Sequence, residues 1–429
     1  MKRFVSFIVA VLTALTLSSF VASINQTYAM NGEFVVQETD PSLNSKDYKK
    51  WNDLFTYKEK DDGTIQIFSV YDTDKNYNAL TELDVPDTID GKEVNEIADS
   101  CFREMSYVET IKLPDTIKII GENAFYECTK LKNINIPKNL EKIGKNAFYG
   151  CELLTSIDIP ESVNKIGDYV FEGCNALETI NVDGKNKNYS SEDGILFNKD
   201  KSTLIKFPES SKITEYVLPD SVNEIYNWAF IGCSNITSID ISEKNLKKIG
   251  EDAFYYCVRI ENMVIPEGIE KLDGAAFGYC VALKKITLPE SLKSIGSYCF
   301  YGCTSLENVE LPDKLEKIED HAFYSCKSLK EVTIPDSVKT IGKYAIGFNY
   351  STETKKEAKA NGFKIHASKG TAGYHYMQKY GFTFPWYKVL IAVAVVILII
   401  VVIIFIKWFR KREVRKLNKK YAKMRHWPV

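Results

Sequence analysis

The segment from Cys128 to Phe148 reads C-x-x-L-x-x-I-x-I-P-x-x-L-x-x-I-G-x-x-A-F, and its pattern recurs on both sides of it. The apolar residue that opens each unit falls at Leu83, Ile111, Ile134, Ile157, Ile180, Tyr216, Ile239, Met263, Ile286, Val309 and Val332. Seven of the ten steps between these openers are 23 residues and one is 24. A fixed period of this size marks a solenoid, in which each turn is one supersecondary unit that buries its apolar face only against its neighbours. The two longer steps, of 28 and 36 residues, add polar, turn-rich stretches that read as loops or insertions.

Chemistry within the unit is equally regular. Nine of the 13 prolines stand three residues after an opener, where a residue without an N–H ends a strand. Nine phenylalanines, from Phe102 to Phe323, share one station and predict a continuous aromatic core. In L-x-x-I-x-I-P, Ile134 and Ile136 face inward, so Asn133 and Asn135 face out. Neighbouring turns about 4.8 Å apart then join these strands into one long parallel sheet. Glycines such as Gly121, Gly144 and Gly167 supply either a positive φ or room for a neighbouring backbone on the far side.

The expected fold is a repeat solenoid, mostly β with short parallel strands, followed by a single C-terminal transmembrane helix. Residues 1–29 have a basic start, an apolar run and a small-residue end, and read as a signal peptide cut after Ala29; the alternative is an uncleaved anchor. Residues 30–52 read as a linker and 53–82 as an N-terminal β-hairpin cap. The solenoid spans 83–347, with a hairpin at 183–210 that protrudes from the stack or inserts into it. Residues 348–384 form a C-terminal cap of a short helix ending at Gly381 and a last strand. The segment 387–407 holds 18 consecutive apolar residues, Val389 to Ile406, flanked by aromatics, as a membrane helix requires. The tail 408–429 is basic and is placed in the cytoplasm by the positive-inside rule, with the rest of the chain outside.

The net charge of −2 conceals this asymmetry. Setting aside two leader bases, and ten bases and one acid from Lys407 onward, leaves 43 bases and 56 acids over residues 30–406, a net charge of −13. An acidic exterior argues against a nucleic-acid partner. The tail either lies on anionic lipid, which its unpatterned bases favour, or recruits a cytosolic partner.

Eight of the ten cysteines hold one station, and Cys101 and Cys299 replace the alanine before phenylalanine, so they read as small core residues. Adjacent turns bring their Cα atoms within disulfide range, but side chains that point the same way have the wrong dihedral. The four histidines show no ligand spacing, and His321 reads as a surface residue. No nucleophile elbow, phosphate loop or zinc motif is present, so neither an enzyme nor a cofactor is expected. Two rows remain. One is a polar strip on the front strands, comprising Asn133, Asn135, Ser156, Asp158, Thr179, Asn181, Ser238, Asp240, Asn262, Thr287, Asn308, Glu310 and Thr333. It either binds a protein or glycan or is simply solvated. The other, Tyr126, Tyr149, Tyr255, Tyr301 and Tyr324, either packs on itself or offers a sticky stripe.

The repeated cycle, the segment N-Y-S-S-E-D-G-I-L-F-N-K-D and the A-K-A-N-G-F near the end together resemble the BspA-like leucine-rich repeat family of bacterial and protist surface proteins. The likeness covers about residues 53–384. It implies a curved solenoid and a role in adhesion to host matrix proteins or other cells. A membrane helix and basic tail stand where the family pattern has a sorting motif. The expected function is therefore a membrane-anchored surface protein that binds an extracellular protein or glycan. The alternative is a structural or sensory envelope protein that signals through its tail.

Overall fold

A computed structural model describes residues 49–51, 54–70, 80–352, 354–382 and 386–424. The expected leader, and nearly all of the expected linker, lie outside the described residues. From Leu83 the chain winds as a β-solenoid of about 11 turns, most with a front strand at the opener and a back strand just before the station that glycine often fills. Both pair in parallel with the equivalent strand one turn away: Ile157 opposite Ile180 in front, Ile143 opposite Ile120 and Ile166 behind.

The long sheets are on the back, contrary to the expectation of one long front sheet. Back strands of two residues, such as Lys142–Ile143, extend the N-terminal strands into an eight-stranded sheet ending at Lys165–Ile166 and build much of a nine-stranded sheet from Tyr189–Glu192 to Thr340–Ile341. Front strands instead form one group of three and several isolated pairs, such as Asn262–Val264 with Lys285–Thr287. Proline accounts for part of this, because it removes a ladder donor from most front strands. Side chains cover some of the gaps. Asn135 Oδ1 accepts from Leu113 N at 2.9 Å and its Nδ2 donates to Leu113 O at 2.7 Å.

On the back, glycine is there for room. A Cβ on Gly144 would lie 2.5 Å from Glu122 N and from Gly121 C. The left-handed positions come two and six residues later, at Asn146 (φ 54°) and Gly150 (φ 71°). These kinks turn peptide groups along the stack. Phe125 N donates to Ala147 O at 2.8 Å and Phe148 N to Val170 O at 3.0 Å, so the corner is laddered from turn to turn as the strands are.

Inside, the phenylalanines stack with ring centroids 5.1 Å apart for Phe125 and Phe148, and for Phe254 and Phe277. All nine are buried, and Phe207 joins the column ahead of Phe230 at 4.9 Å. All ten cysteines are free and buried. Their thiols tie turns together: Cys151 Sγ donates to Phe125 O at 3.3 Å, and Cys303 Sγ to Phe277 O at 3.1 Å. Burial pushes the Cys128 and Cys280 thiols up to about 12.

Both ends are closed. At the N-terminal end, Phe55–Glu59 pairs antiparallel with Ile65–Val70, which pairs in parallel with Lys92–Ile97. Phe55, Tyr57, Ile65 and Ile67 fill the first turn. At the other end, Lys364–His366 pairs with Glu331–Thr333, and the helix Ala372–Tyr380 ends on Gly381 in the left-handed region. Tyr376 locks that helix down, its hydroxyl accepting from Ile346 N at 3.0 Å and donating to Ile346 O at 3.1 Å. The strand expected after Gly381 falls largely outside the described residues. The last helix runs Trp386–Met424, and its stretch Val393–Leu417 is long and apolar enough to cross a membrane. Side chains from Val393 to Ile406 are exposed, with no protein over them.

The insertion lies within the stack. Ile195–Asn198 pairs antiparallel with Tyr189–Glu192 and with Thr203–Lys206, and the latter leads in parallel into Glu224–Ile225. Ile195, Leu196 and Phe197 are all buried, because the strand is a partition: Leu196 faces the core of the preceding turns, while Ile195 and Phe197 face the core of those that follow.

Two measurements check this packing. Gly144→Ala forces a side chain into the neighbouring backbone and is expected to destabilise the protein by about 1–3 kcal/mol, read as a lowered Tm. In the native protein the ten thiols are expected to resist a thiol reagent, and all ten are expected to react once the chain is denatured.

Candidate functional site

The front strip is a surface set by the period-2 alternation of each strand. In Ser156–Ile159 the burial alternates, with Ser156 and Asp158 out and Ile157 and Ile159 in. Parallel registry then places Ser156 beside Thr179 and Asp158 beside Asn181. Twelve of the thirteen strip residues are exposed, and Thr179 is half-buried. Thr179 is covered because Gly194 of the insertion abuts it; a Cβ there would lie 2.9 Å from Thr179 Cβ.

Several strip residues are occupied within the protein. Asn135 holds the Leu113 backbone, and Asn181 Nδ2 donates to Asp158 Oδ1 at 2.9 Å. Asp240 accepts from Ser242 Oγ at 2.8 Å and Ser242 N at 3.1 Å, bonds that hold its carboxyl below the usual range. Beside the strip, ion pairs join consecutive turns, as Lys132 to Glu109 at 2.9 Å and Lys284 to Glu261 at 2.8 Å. The strip is also less uniformly polar than its named members suggest. The turn opened by Tyr216 places Val217, 62 % exposed, in register with Asp240, and Val264, 45 % exposed, stands beside Thr287.

The tyrosine row packs largely on itself. Tyr126 and Tyr149 stack at 4.9 Å and Tyr301 and Tyr324 at 5.5 Å, which occupies the faces a ligand would need. His321 is half-buried, correcting the expectation of a surface residue. It stacks on Tyr298 at 4.8 Å, its Nδ1 lacks a hydrogen-bond partner, and burial lowers its pKa. Among the described residues no cluster of three or more His, Cys, Asp or Glu could hold a metal ion.

A buried charge cluster at the insertion was missed in the sequence. Lys206 Nζ lies 3.3 Å from Glu172 Oε2 and 3.3 Å from Glu209 Oε1, and each of the three side chains is 7 % exposed or less. The signals were present. Lys206 precedes Phe207, where most other turns place Ala, and Glu172 follows Phe171, where Tyr126 and Tyr149 stand in their turns. Glu209 Oε1 also accepts from Gly173 N at 3.0 Å, the place of a carbonyl in intact turns such as Gly150 N to Glu172 O. Burial pushes Glu172 up to about 8, against the pull of Lys206, and raises Glu209. Burial works against the charge on Lys206, but the two carboxylates outweigh it and raise its pKa. The folded protein thus keeps the Glu172 proton to about pH 8, while the unfolded chain releases it near 4.5. Stability is expected to fall as pH rises between those values and then level off. Thermal unfolding of Glu172→Gln across this range should show a flatter decline.

A family model described as the BspA type leucine-rich repeat region matches residues 95–217, 205–303 and 270–361, more than half of the chain. Among solved structures, a leucine-rich repeat protein from Eubacterium ventriosum is 23 % identical, with a TM-score of 0.56 over 75 % of this chain and 97 % of its own. The pneumococcal vaccine antigen PcpA is 21 % identical, with a TM-score of 0.48 over 78 % of this chain and 96 % of its own. These likenesses concern the fold. No curated protein matches.

Proposed function

Since the chain belongs to the BspA-type leucine-rich repeat family, we propose that it is a membrane-anchored surface protein whose front strip binds an extracellular protein or glycan in adhesion. The observation that carries this reading is the strip itself. Donors and acceptors recur in register on neighbouring strands, and a continuous back sheet supports them within each half of the stack. Such a surface meets an extended ligand without paying for loop ordering. Exposed Val217 and Val264 add apolar area within it. Leucine-rich repeat solenoids typically act as binding scaffolds rather than as enzymes.

The helix Trp386–Met424 supports the tether. Its uncovered apolar stretch suits lipid, and the bases from Lys407 onward orient it with the C-terminus in the cytoplasm. The solenoid is then extracellular.

The test uses the full chain in lipid nanodiscs, binding immobilised extracellular-matrix proteins, glycans and whole cells. Replacing Asn133, Asp158, Asn262, Asn308 and Glu310 together by Ala should weaken binding at least about tenfold, or ~1.4 kcal/mol. The same number of changes on the exposed back should leave it intact. Undiminished binding in the strip variant would overturn the placement. No binding to any surface would favour the structural or sensory role.

A further inference from the structure

The stack loses its backbone continuity at one place. In intact turns the corner N–H groups donate to the next turn, as Asn146 N to Asp168 O at 2.9 Å and Phe148 N to Val170 O at 3.0 Å, and the pattern resumes at Phe207 N to Ala229 O. Among the described backbone groups, none accepts from Tyr169 N or Phe171 N. The back sheet also stops at Lys165–Ile166, and the next begins with the insertion. A cavity of about 90 Å³, with Asp168, Tyr169, Glu172, Lys206, Tyr226 and Asn227 on its wall, fills the gap. Its wall also includes the apolar Ile166, Val170, Leu196 and Ile205, but the polar groups among them and its size leave room for waters that can serve the unmatched N–H groups.

On the back, side chains bridge the gap: Lys206 to Glu172, Tyr226 Oη donating to Asp168 Oδ1 at 2.8 Å, and Tyr169 edge-on to Trp228 at 5.4 Å. Away from the cavity the backbone is joined. Ser210 N donates to Leu177 O at 2.9 Å, and Ile180 N to Gly194 O at 2.8 Å. The apolar core parts at the same level, with the strand Ile195–Asn198 between its halves.

We propose that this seam is a built-in joint, opening on the back face and pivoting near Ser210, so that the two stacks flex against each other with the Lys206 cluster as the latch. Opening there breaks a few side-chain bonds, lifts Leu196 and Ile205 off the preceding core, and admits water to a cavity that already has polar groups on its wall. Opening between any two intact turns breaks a row of backbone bonds and parts stacked phenylalanines. The latch carries two carboxylates and one ammonium, so full ionisation leaves a buried excess of negative charge. Glu172 faces Lys206 and Glu209 across the gap, Asp252 from a later turn, and Tyr149, Tyr169, Cys174 and Cys233 around it. Its proton is the one that neutralises the group, and losing it in alkali loosens the latch.

Backbone hydrogen exchange of the full chain in nanodiscs, followed by mass spectrometry at pH 6 and pH 9 and corrected for intrinsic rates, tests this. Peptides over 165–173 should exchange at least about tenfold faster than those over 142–150 and 248–256, as expected of a local opening below the global unfolding free energy. The ratio should grow at pH 9 in the wild type but not in Glu172→Gln. Equal protection in the three segments overturns the joint, and this reading needs only the wild-type protein. A ratio that grows equally in Glu172→Gln overturns the latch.

Discussion

With one exception, at the insertion, the turns of this chain satisfy their backbone through their neighbours. A front strand of three residues, a back strand of two and a kinked corner are each too short to stand alone. Their N–H and C=O groups are paired because the same groups recur one turn away at the same height. Exact periodicity of sequence is the chemical expression of that requirement. One residue gained or lost within a strand would put isoleucines outside and leave donors without acceptors, whereas the extra residue of the 24-residue step falls in a turn and leaves Ile225 opposite Ile249. Where glycine stands before the corner, as Gly144 does, the same closeness of turns leaves no volume for a Cβ. The thiols of the eight cysteines that share one station extend it to side chains, each reaching the phenylalanine carbonyl of the turn before.

Much of the architecture was legible because this constraint is written in identity and spacing. Openers, prolines and phenylalanines fell where the strands, stops and stacked rings are. Sheet continuity was harder to read. Front strands are longer and more obviously β in sequence, whereas the back strands are two residues long and owe their continuity to close approach. Burial of His321 depended on Tyr298 one turn away, which no pattern local to the histidine reveals.

The candidate strip was legible in its membership but not in its engagements. Alternation along a strand tells which side chains face out. It does not tell that Asn135 is bound to the Leu113 backbone or that Thr179 lies beneath the insertion. Exposed Val217 was passed over because a search for polar positions does not notice their exceptions. The Lys206 cluster escaped for a related reason. Its three members come from two stretches 34 residues apart, and only the irregular step of the insertion brings them together.

The partition strand also bears on how such a chain is made. A solenoid released residue by residue presents a raw apolar end to its surroundings until the next turn arrives, and in a long stack that exposure persists throughout synthesis. Here Ile195–Asn198 folds back over the turns already formed and sets Leu196 against their core. A chain emerging from its N-terminus therefore acquires a lid halfway along. The first stack is sealed before the second has begun, and the wall that seals it is the floor on which the second is laid.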